Sequence, residues 1–355
     1  MMKNIFYSLL TGIFMTTWIS CIDEISIPIK QIKDNVNISS VISDTFEVQK
    51  VSIAKTITVG KDVPVDGTPI SGAKVFLTAT QGDKFIFLEG KTKGIYESTF
   101  QIVPSRSYHL EIELADGRKY TSAYKSIEKK SIPFSVTTRL YDKTFLNSNN
   151  VITKVSQVGA YINSTLQSNG KPVKAIYRVS GEYVVTEFYL MIINPRTCYI
   201  KENLDFNNLA AYDGADFPGG KLQDINLIST TADFRFFDNY CFHVDQYLVD
   251  DDTYEYINQI NKLLNKDNNL FAVPPGRVQG NISNPNDPSE DVSGYFFIGS
   301  KSGVKIFTNE NKLGAHVNPM CMDPNKTIRR QSDFPACYDC LILPMSQRAK
   351  PSYWP

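Results

Sequence analysis

The chain is poor in histidine: His109, His243 and His316 are its only three in 355 residues, and they lie far apart. A Ser or Cys nucleophile needs such a base within hydrogen-bond reach, so acyl-transfer chemistry has little material. The patterns G-x-S-x-G, H-E-x-x-H, the P-loop and G-x-G-x-x-G are all missing, which removes the commonest hydrolase, zinc-protease and nucleotide-binding signatures. Charge of one sign is not in excess either, with 37 Lys+Arg against 37 Asp+Glu. Nothing offsets a phosphate backbone, so no nucleic-acid partner is expected. Past the N-terminus there is no long hydrophobic run. The longest, residues 184–193, is interrupted by Thr186 and Glu187 and falls short of the roughly 20 residues of a membrane helix. A glycosidase asks for only two carboxylates, and the acids are numerous, but no pair stands out. No metal or other cofactor is called for.

What is present is an ordinary globular composition, 42% hydrophobic, 12% aromatic and 21% charged, enough for two domains with their own cores. The first twenty-one residues stand apart. Lys3 precedes a mostly apolar run from Ile5 to Ile19, and the small Ser20 comes just before Cys21. This is the layout of a secretory signal, and a run of about 15 residues is short for a spanning helix. Cys21 behind a small residue resembles a bacterial lipobox, with Trp18 where Leu is usual. The expectation is a signal peptide over residues 1–20, acylation of the Cys21 thiol, and a lipidated tether over 21–36. Asp23 and Glu24 resemble the acidic signal that sends such lipoproteins to the outer face of the outer membrane. Several acyl chains, at about 0.8 kcal/mol per buried CH₂, hold a protein stably to a bilayer.

From residue 37 to 130 the text is all β. Residues 74–80 (KVFLTAT) and 84–89 (KFIFLE) are separated by Gln81-Gly82-Asp83, and residues 95–100 follow Gly94. Residues 108–114 alternate, with Tyr108, Leu110, Ile112 and Leu114 on one face and His109, Glu111 and Glu113 on the other. Asp116-Gly117 then signals a hairpin, whose turn needs positive φ. Short strands every 8–12 residues imply a sandwich rather than a parallel sheet. A second, larger β domain is expected over 131–355, with strands at 134–140, 154–162, 182–193, 240–249 and 294–300. Residues 201–228, rich in Asn, Asp and Gly, read as a long loop. One helix is expected near 253–266. Asp252 would cap it with Glu255 completing a capping box, and Tyr256, Ile260, Leu263 and Leu264 would form the stripe that packs across the second sheet.

Beyond Cys21 the cysteines are Cys198, Cys241, Cys321, Cys337 and Cys340, and an exported chain can oxidise them. Cys337-Tyr338-Asp339-Cys340 is a C-x-x-C, yet it sits in a Pro-rich tail instead of opening a helix as a redox motif does. A zinc site would want a second close pair or His partners. The expected arrangement bonds Cys321 to one of Cys337 and Cys340 and Cys198 to the other, fastening the tail to the second sheet. Cys241, in an alternating strand, is expected as a buried free thiol. Tyr353-Trp354 reads as a plug that closes the sandwich.

Gly280-Asn281-Ile282-Ser283-Asn284-Pro285-Asn286-Asp287-Pro288, followed by Val292-Ser293-Gly294-Tyr295-Phe296, resembles the G-N-I-x-N-x-x-D-P…x-G-Y-F signature of domain-of-unknown-function family 4249, lipoproteins of Bacteroidota. Ile70-Ser71-Gly72-Ala73-Lys74-Val75, Asp116-Gly117-Arg118-Lys119-Tyr120 and the C-terminal Tyr353-Trp354 are similar in the same order. The resemblance implies an outer-membrane lipoprotein, often encoded beside a TonB-dependent receptor, whose N-terminal half is an immunoglobulin-like or transthyretin-like β-sandwich. It carries no catalytic residues. Within the signature loop, Gly280 and Gly294 permit tight backbone, Asn281, Asn284 and Asp287 favour Asx turns, Pro288 stiffens the chain, and Tyr295 closes the block. The expected role of the loop is an ordered connection between strands. The expected function is that of a surface-exposed, non-enzymatic partner of a TonB-dependent transporter in nutrient uptake. The rivals are a glycan- or host-binding adhesin using exposed aromatics and a carboxylate-pair hydrolase.

Overall fold

Period-two burial builds both halves of the chain. The computed structural model describes residues 35–56, 67–128, 132–146, 150–188, 194–204, 209–264, 278–321 and 334–355; Cys21, Asp23 and Glu24 lie outside them. Strand Ser107–Glu113 buries Tyr108, Leu110 and Ile112 and turns the residues between them outward, as alternation demands. One sheet of the first sandwich joins Ile95–Phe100, Glu47–Lys55 and Val36–Ser43 in antiparallel order. The other joins Lys84–Glu89, Lys74–Ala79, Ser107–Glu113 and Lys119–Ser122. Val36, Ile38, Val51, Val75, Leu77 and Leu110 meet between them as one core.

The second sandwich faces a three-stranded sheet, Phe134–Leu146, Ile152–Thr165 and Lys221–Thr231, against a sheet centred on Lys174–Thr186 and Tyr240–Val249. Val136, Val158, Ile162 and Leu222 from the first pack on Val179, Phe242 and Val244 from the second. Two expectations change here. Residues 201–228 are not one long loop: Ala210–Asp213 and Lys221–Thr231 are strands. The second buries Leu222 and Leu227 while its polar residues face outward, a pattern that Asn and Asp content hides. The strand expected at 182–193 runs instead over Lys174–Thr186, and residues 189–193 lie outside the described ones. It is a central strand paired on both sides, so Lys174, Arg178 and Glu182 within it mask its burial.

Strand Phe296–Thr308 ties the sandwiches together. Residues 296–299 pair in parallel with Ser40, Val41, Ile42 and Ser43, and residues 300–308 pair antiparallel with the strand Tyr240–Val249. At about 3.3 Å per residue, it runs about 40 Å from the first sandwich to the far end of the second. Ile282 and Ser283 add to the edge of Lys119–Ser122, and Val292 and Ser293 pair with Val36 and Asn37. Residues 282–299, assigned from sequence to the second domain, therefore complete both sheets of the first. Pairing between segments some 250 residues apart leaves no local trace in the sequence.

Helix Asp251–Leu264 lies on the outer face of the second sheet, with Tyr254 and Ile257 against Ile176, Tyr247 and Val249. Its cap is Asp250, whose carboxylate accepts the Thr253 N–H at 2.9 Å, rather than Asp252, which is turned to Lys125. The inward face is Thr253, Tyr254 and Ile257; Leu264 is 52% exposed. Two apolar stripes run side by side on this helix, and the aromatic surface of the sheet selects the earlier one. A second helix, Glu310–Leu313, is a single turn. Among the described residues no helix is long and apolar enough to cross a membrane. The disulfides are Cys198–Cys340 and Cys321–Cys337, and Cys241 is a buried free thiol. Trp354 packs edge-on against Tyr199 and Phe307 at 5.2 and 5.1 Å, closing the outer face of the second sheet.

Candidate functional site

Where strand Lys119–Ser122 ends, the chain turns across the junction of the two sandwiches. The Ala123 N–H donates to the Asn281 carbonyl at 2.8 Å, which fixes the backbone that carries Tyr124 and Lys125. The Lys125 side chain is 5% exposed, and its ammonium donates to Asp250 at 2.8 Å and to Asp252 at 3.1 Å. Burial is the largest single effect and works against that charge, but Asp250 and Tyr295 together outweigh it and hold the ammonium well above its ordinary pKa. This pair docks the start of the helix onto the first sandwich. Along the helix, Tyr256 stacks on Tyr295 at 4.2 Å and 22°, while Glu255 and Gln259, one turn apart on the same side, are exposed. Together these elements border an open cleft of about 340 Å³. Tyr124, Tyr256 and Tyr295 provide its aromatic walls, and Glu255, Gln259 and Gln279 its polar ones.

The signature loop forms the floor of that cleft. Asn281 brackets the Phe296 backbone: its Oδ1 accepts the N–H at 2.8 Å and its Nδ2 donates to the carbonyl at 2.6 Å. A Cβ on Gly280 would stand 1.9 Å from the Gly294 carbonyl oxygen, and Gly294 itself has φ +94° with its backbone against Ile38. Asn284 Oδ1 accepts the N–H groups of Asn286 and Asp287 at 2.9 and 3.3 Å, an Asx turn, and Asp287 accepts the Ser289 N–H at 3.1 Å. Pro288 is exposed in the following turn. Glu290 accepts the Tyr120 hydroxyl at 2.7 Å. Burial would raise its pKa, yet the bonds from Asn284 and Tyr120 hold it below the usual range. The polar groups of the loop are thus largely satisfied within it. Of the sequence-selected residues, Gly280, Asn281 and Tyr295 reach the cleft; Asn284, Asp287, Pro288 and Gly294 do not line it. Tyr124, Lys125, Glu255 and Gln259 were not selected from sequence. Tyr124 gave no signal: it shares parity with the buried Tyr120 and Ser122, so alternation would turn it inward, whereas it is 56% exposed.

The other candidates lie at the far end of the second sandwich. A cavity of about 310 Å³ is lined by Val184, Val185, Phe188, Phe234, Phe237 and Met320, beside the Cys321–Cys337 bridge. Its neighbour Glu187 is buried and consumed by Arg196 and the Cys340 N–H. Because Cys337 and Cys340 belong to different bridges, the C-x-x-C is not a redox pair. Pairing with Lys221–Thr231 stops at Gln157, so residues 142–146 and 152–156 continue as a two-stranded arm. Its tip exposes Phe145 (44%), Leu146 (64%), Val151 (56%) and Ile152 (72%). Beneath the C-terminal plug, the fully buried Glu182 accepts from the Tyr353 hydroxyl and faces His243 Nε2 at 3.2 Å. Burial pushes the neighbouring Cys241 thiol up to about 12, so it is not a reactive thiolate at neutral pH. Among the described residues no group of His, Cys, Asp and Glu could hold a metal ion.

No curated protein matches the chain. A family model matches residues 22–303, a span that starts directly after Cys21, contains the whole signature loop and ends inside the strand that joins the sandwiches. The chain therefore belongs to the family described as Domain of unknown function (DUF4249).

Proposed function

We propose that this protein is a lipid-anchored, surface-exposed lipoprotein of the outer membrane that works without catalysis as the partner of a TonB-dependent transporter in nutrient uptake. The N-terminal signal, Cys21 behind Ser20 and the acidic Asp23-Glu24 support the anchor and its outward placement. The observation that carries the partnership is the arm with exposed Phe145, Leu146, Val151 and Ile152. A two-stranded ribbon is marginal on its own in water, and clustered exposed apolar side chains mark contact surfaces. Strand Val36–Ser43 begins next to the tether and runs toward the second sandwich. The arm belongs to that second sandwich, the one farther along the chain from the proposed anchor, and would meet the external loops of a barrel in the same membrane.

The test is copurification from gently crosslinked, detergent-solubilised outer membrane. The expected result is a co-eluting barrel that is lost with Leu146→Ser/Ile152→Ser, while far-UV spectra and melting stay unchanged. Recovery of the wild type as a lone monomer, or an unlabelled chain after feeding a fatty-acid probe, overturns the proposal.

A further inference from the structure

We infer that the cleft between the two sandwiches binds a neutral oligosaccharide. Its volume of about 340 Å³ sits at the lower end of small-molecule sites. Tyr124 is 56% exposed and is braced by His109 at 4.3 Å between ring centroids; Tyr256 and Tyr295 stand nearby as a stacked pair. A pyranose ring has an apolar C–H face and a rim of hydroxyls. Aromatic rings with polar tips suit the first, and side-chain amides and carboxylates suit the second, because one amide or carboxylate can bond two adjacent hydroxyls. Glu255, Gln259 and Gln279 supply those groups at the cleft wall. Among the described residues the side chains of these three have no hydrogen-bond partner.

Charge narrows the ligand class. Among the described residues Lys125 is the only cation lining the cleft, and it is already held by Asp250 and Asp252. Glu255 adds a further negative charge. Uronic acids, sulfated sugars and phosphates would meet an uncompensated carboxylate, at a cost that like charges impose. A purely apolar ligand would strand the amides. The floor is preorganised by the Asn281–Phe296 bracket and the Gly280–Gly294 contact, so little ordering is lost on binding. This inference does not depend on the transporter proposal.

The full-length protein in detergent is applied to an array of neutral α-glucan, β-glucan, mannan, xylan and galactan oligomers beside polygalacturonate, hyaluronan and heparin fragments. The best neutral binder is then titrated calorimetrically. The expected result is selective retention of one or more neutral glycans, with affinity falling at least tenfold for Tyr124→Ala and for Gln259→Ala, and largely kept in Tyr124→Phe. These side chains are on the surface, so unchanged thermal unfolding confirms that the variants fold. Phe145→Ser, on the distant arm, should leave titration unchanged. Failure to bind any neutral glycan, equal binding of acidic ones, or an indifferent Tyr124→Ala overturns the inference. Glycan binding by a chain that captures no barrel overturns the transporter proposal alone.

Discussion

At the scale of single residues, backbone space decides more than side-chain chemistry. Gly294 combines φ +94° with a virtual Cβ 2.0 Å from the Ile38 carbonyl oxygen, whereas Gly117 has φ +87° but nothing within 4 Å. Left-handed strain costs about 1–3 kcal/mol. Gly294→Ala adds a backbone clash to that strain and should lose at least about 2 kcal/mol in urea unfolding, with Gly117→Ala nearer 1 kcal/mol. Asp250 gives a pH prediction. Burial raises its pKa, but hydrogen bonds from Lys125 and Thr253 outweigh burial and hold the carboxyl below its ordinary value. Its stabilisation is complete above the unfolded carboxylate pKa of about 3.9 and is lost as pH falls through the lower folded value. Asn can replace the cap but not the charge, and Ala replaces neither. Asp250→Ala should therefore be about 1 kcal/mol less stable than Asp250→Asn at pH 7. Both variants should lose less stability than the wild type between about pH 5 and pH 2. Urea titrations at several pH values would reveal a wrong sign directly.

At the scale of elements, legibility followed amphipathicity. Ser107–Glu113 could be read residue by residue because one face is wet and the other dry. Lys174–Thr186 could not, since a central strand with charged residues has no clean alternation. The cap of Asp251–Leu264 is ambiguous in sequence because three consecutive aspartates offer equal capping chemistry; Lys125 bonds both Asp250 and Asp252, and only the Thr253 N–H, which donates to Asp250, separates them. The disulfides make an element-scale prediction. Cys198–Cys340 closes a separation of 142 residues and Cys321–Cys337 one of 16. In the chain-entropy account these constrain the unfolded chain by about 5 and about 3 kcal/mol. Cys198→Ser/Cys340→Ser should thus lower urea stability more than Cys321→Ser/Cys337→Ser; the reverse order would show that native contacts, not loop entropy, dominate.

At the scale of the whole molecule, the sandwiches share a strand. Phe296–Thr308 belongs to a sheet of each, and Lys125 of the first grips the helix laid on the second. Unfolding should accordingly be one cooperative transition. The check is a fluorescence one: the chain has two tryptophans, Trp18 and Trp354, so Trp18→Phe leaves Trp354, buried in the plug on the second sandwich, as the single reporter. Its fluorescence transition in urea should coincide with the far-UV transition of both sandwiches. Separated midpoints would mean that the sandwiches unfold independently.

Local physics was enough for what the sequence determined by itself. Alternation gave the β class, the Asp-Gly turn gave the hairpin, cysteine count and placement gave the stapled tail, and the Gly280–Phe296 block gave the family. These signals lie within a few residues of one another and reflect φ/ψ limits and side-chain periodicity. Tertiary structure alone decided that residues 282–299 close the first sandwich and that Tyr124, Glu255, Gln259 and Tyr295 face one cleft. Those facts depend on segments more than a hundred residues apart meeting at the junction, and burial at such a meeting is a property of the packed chain, not of any window within it.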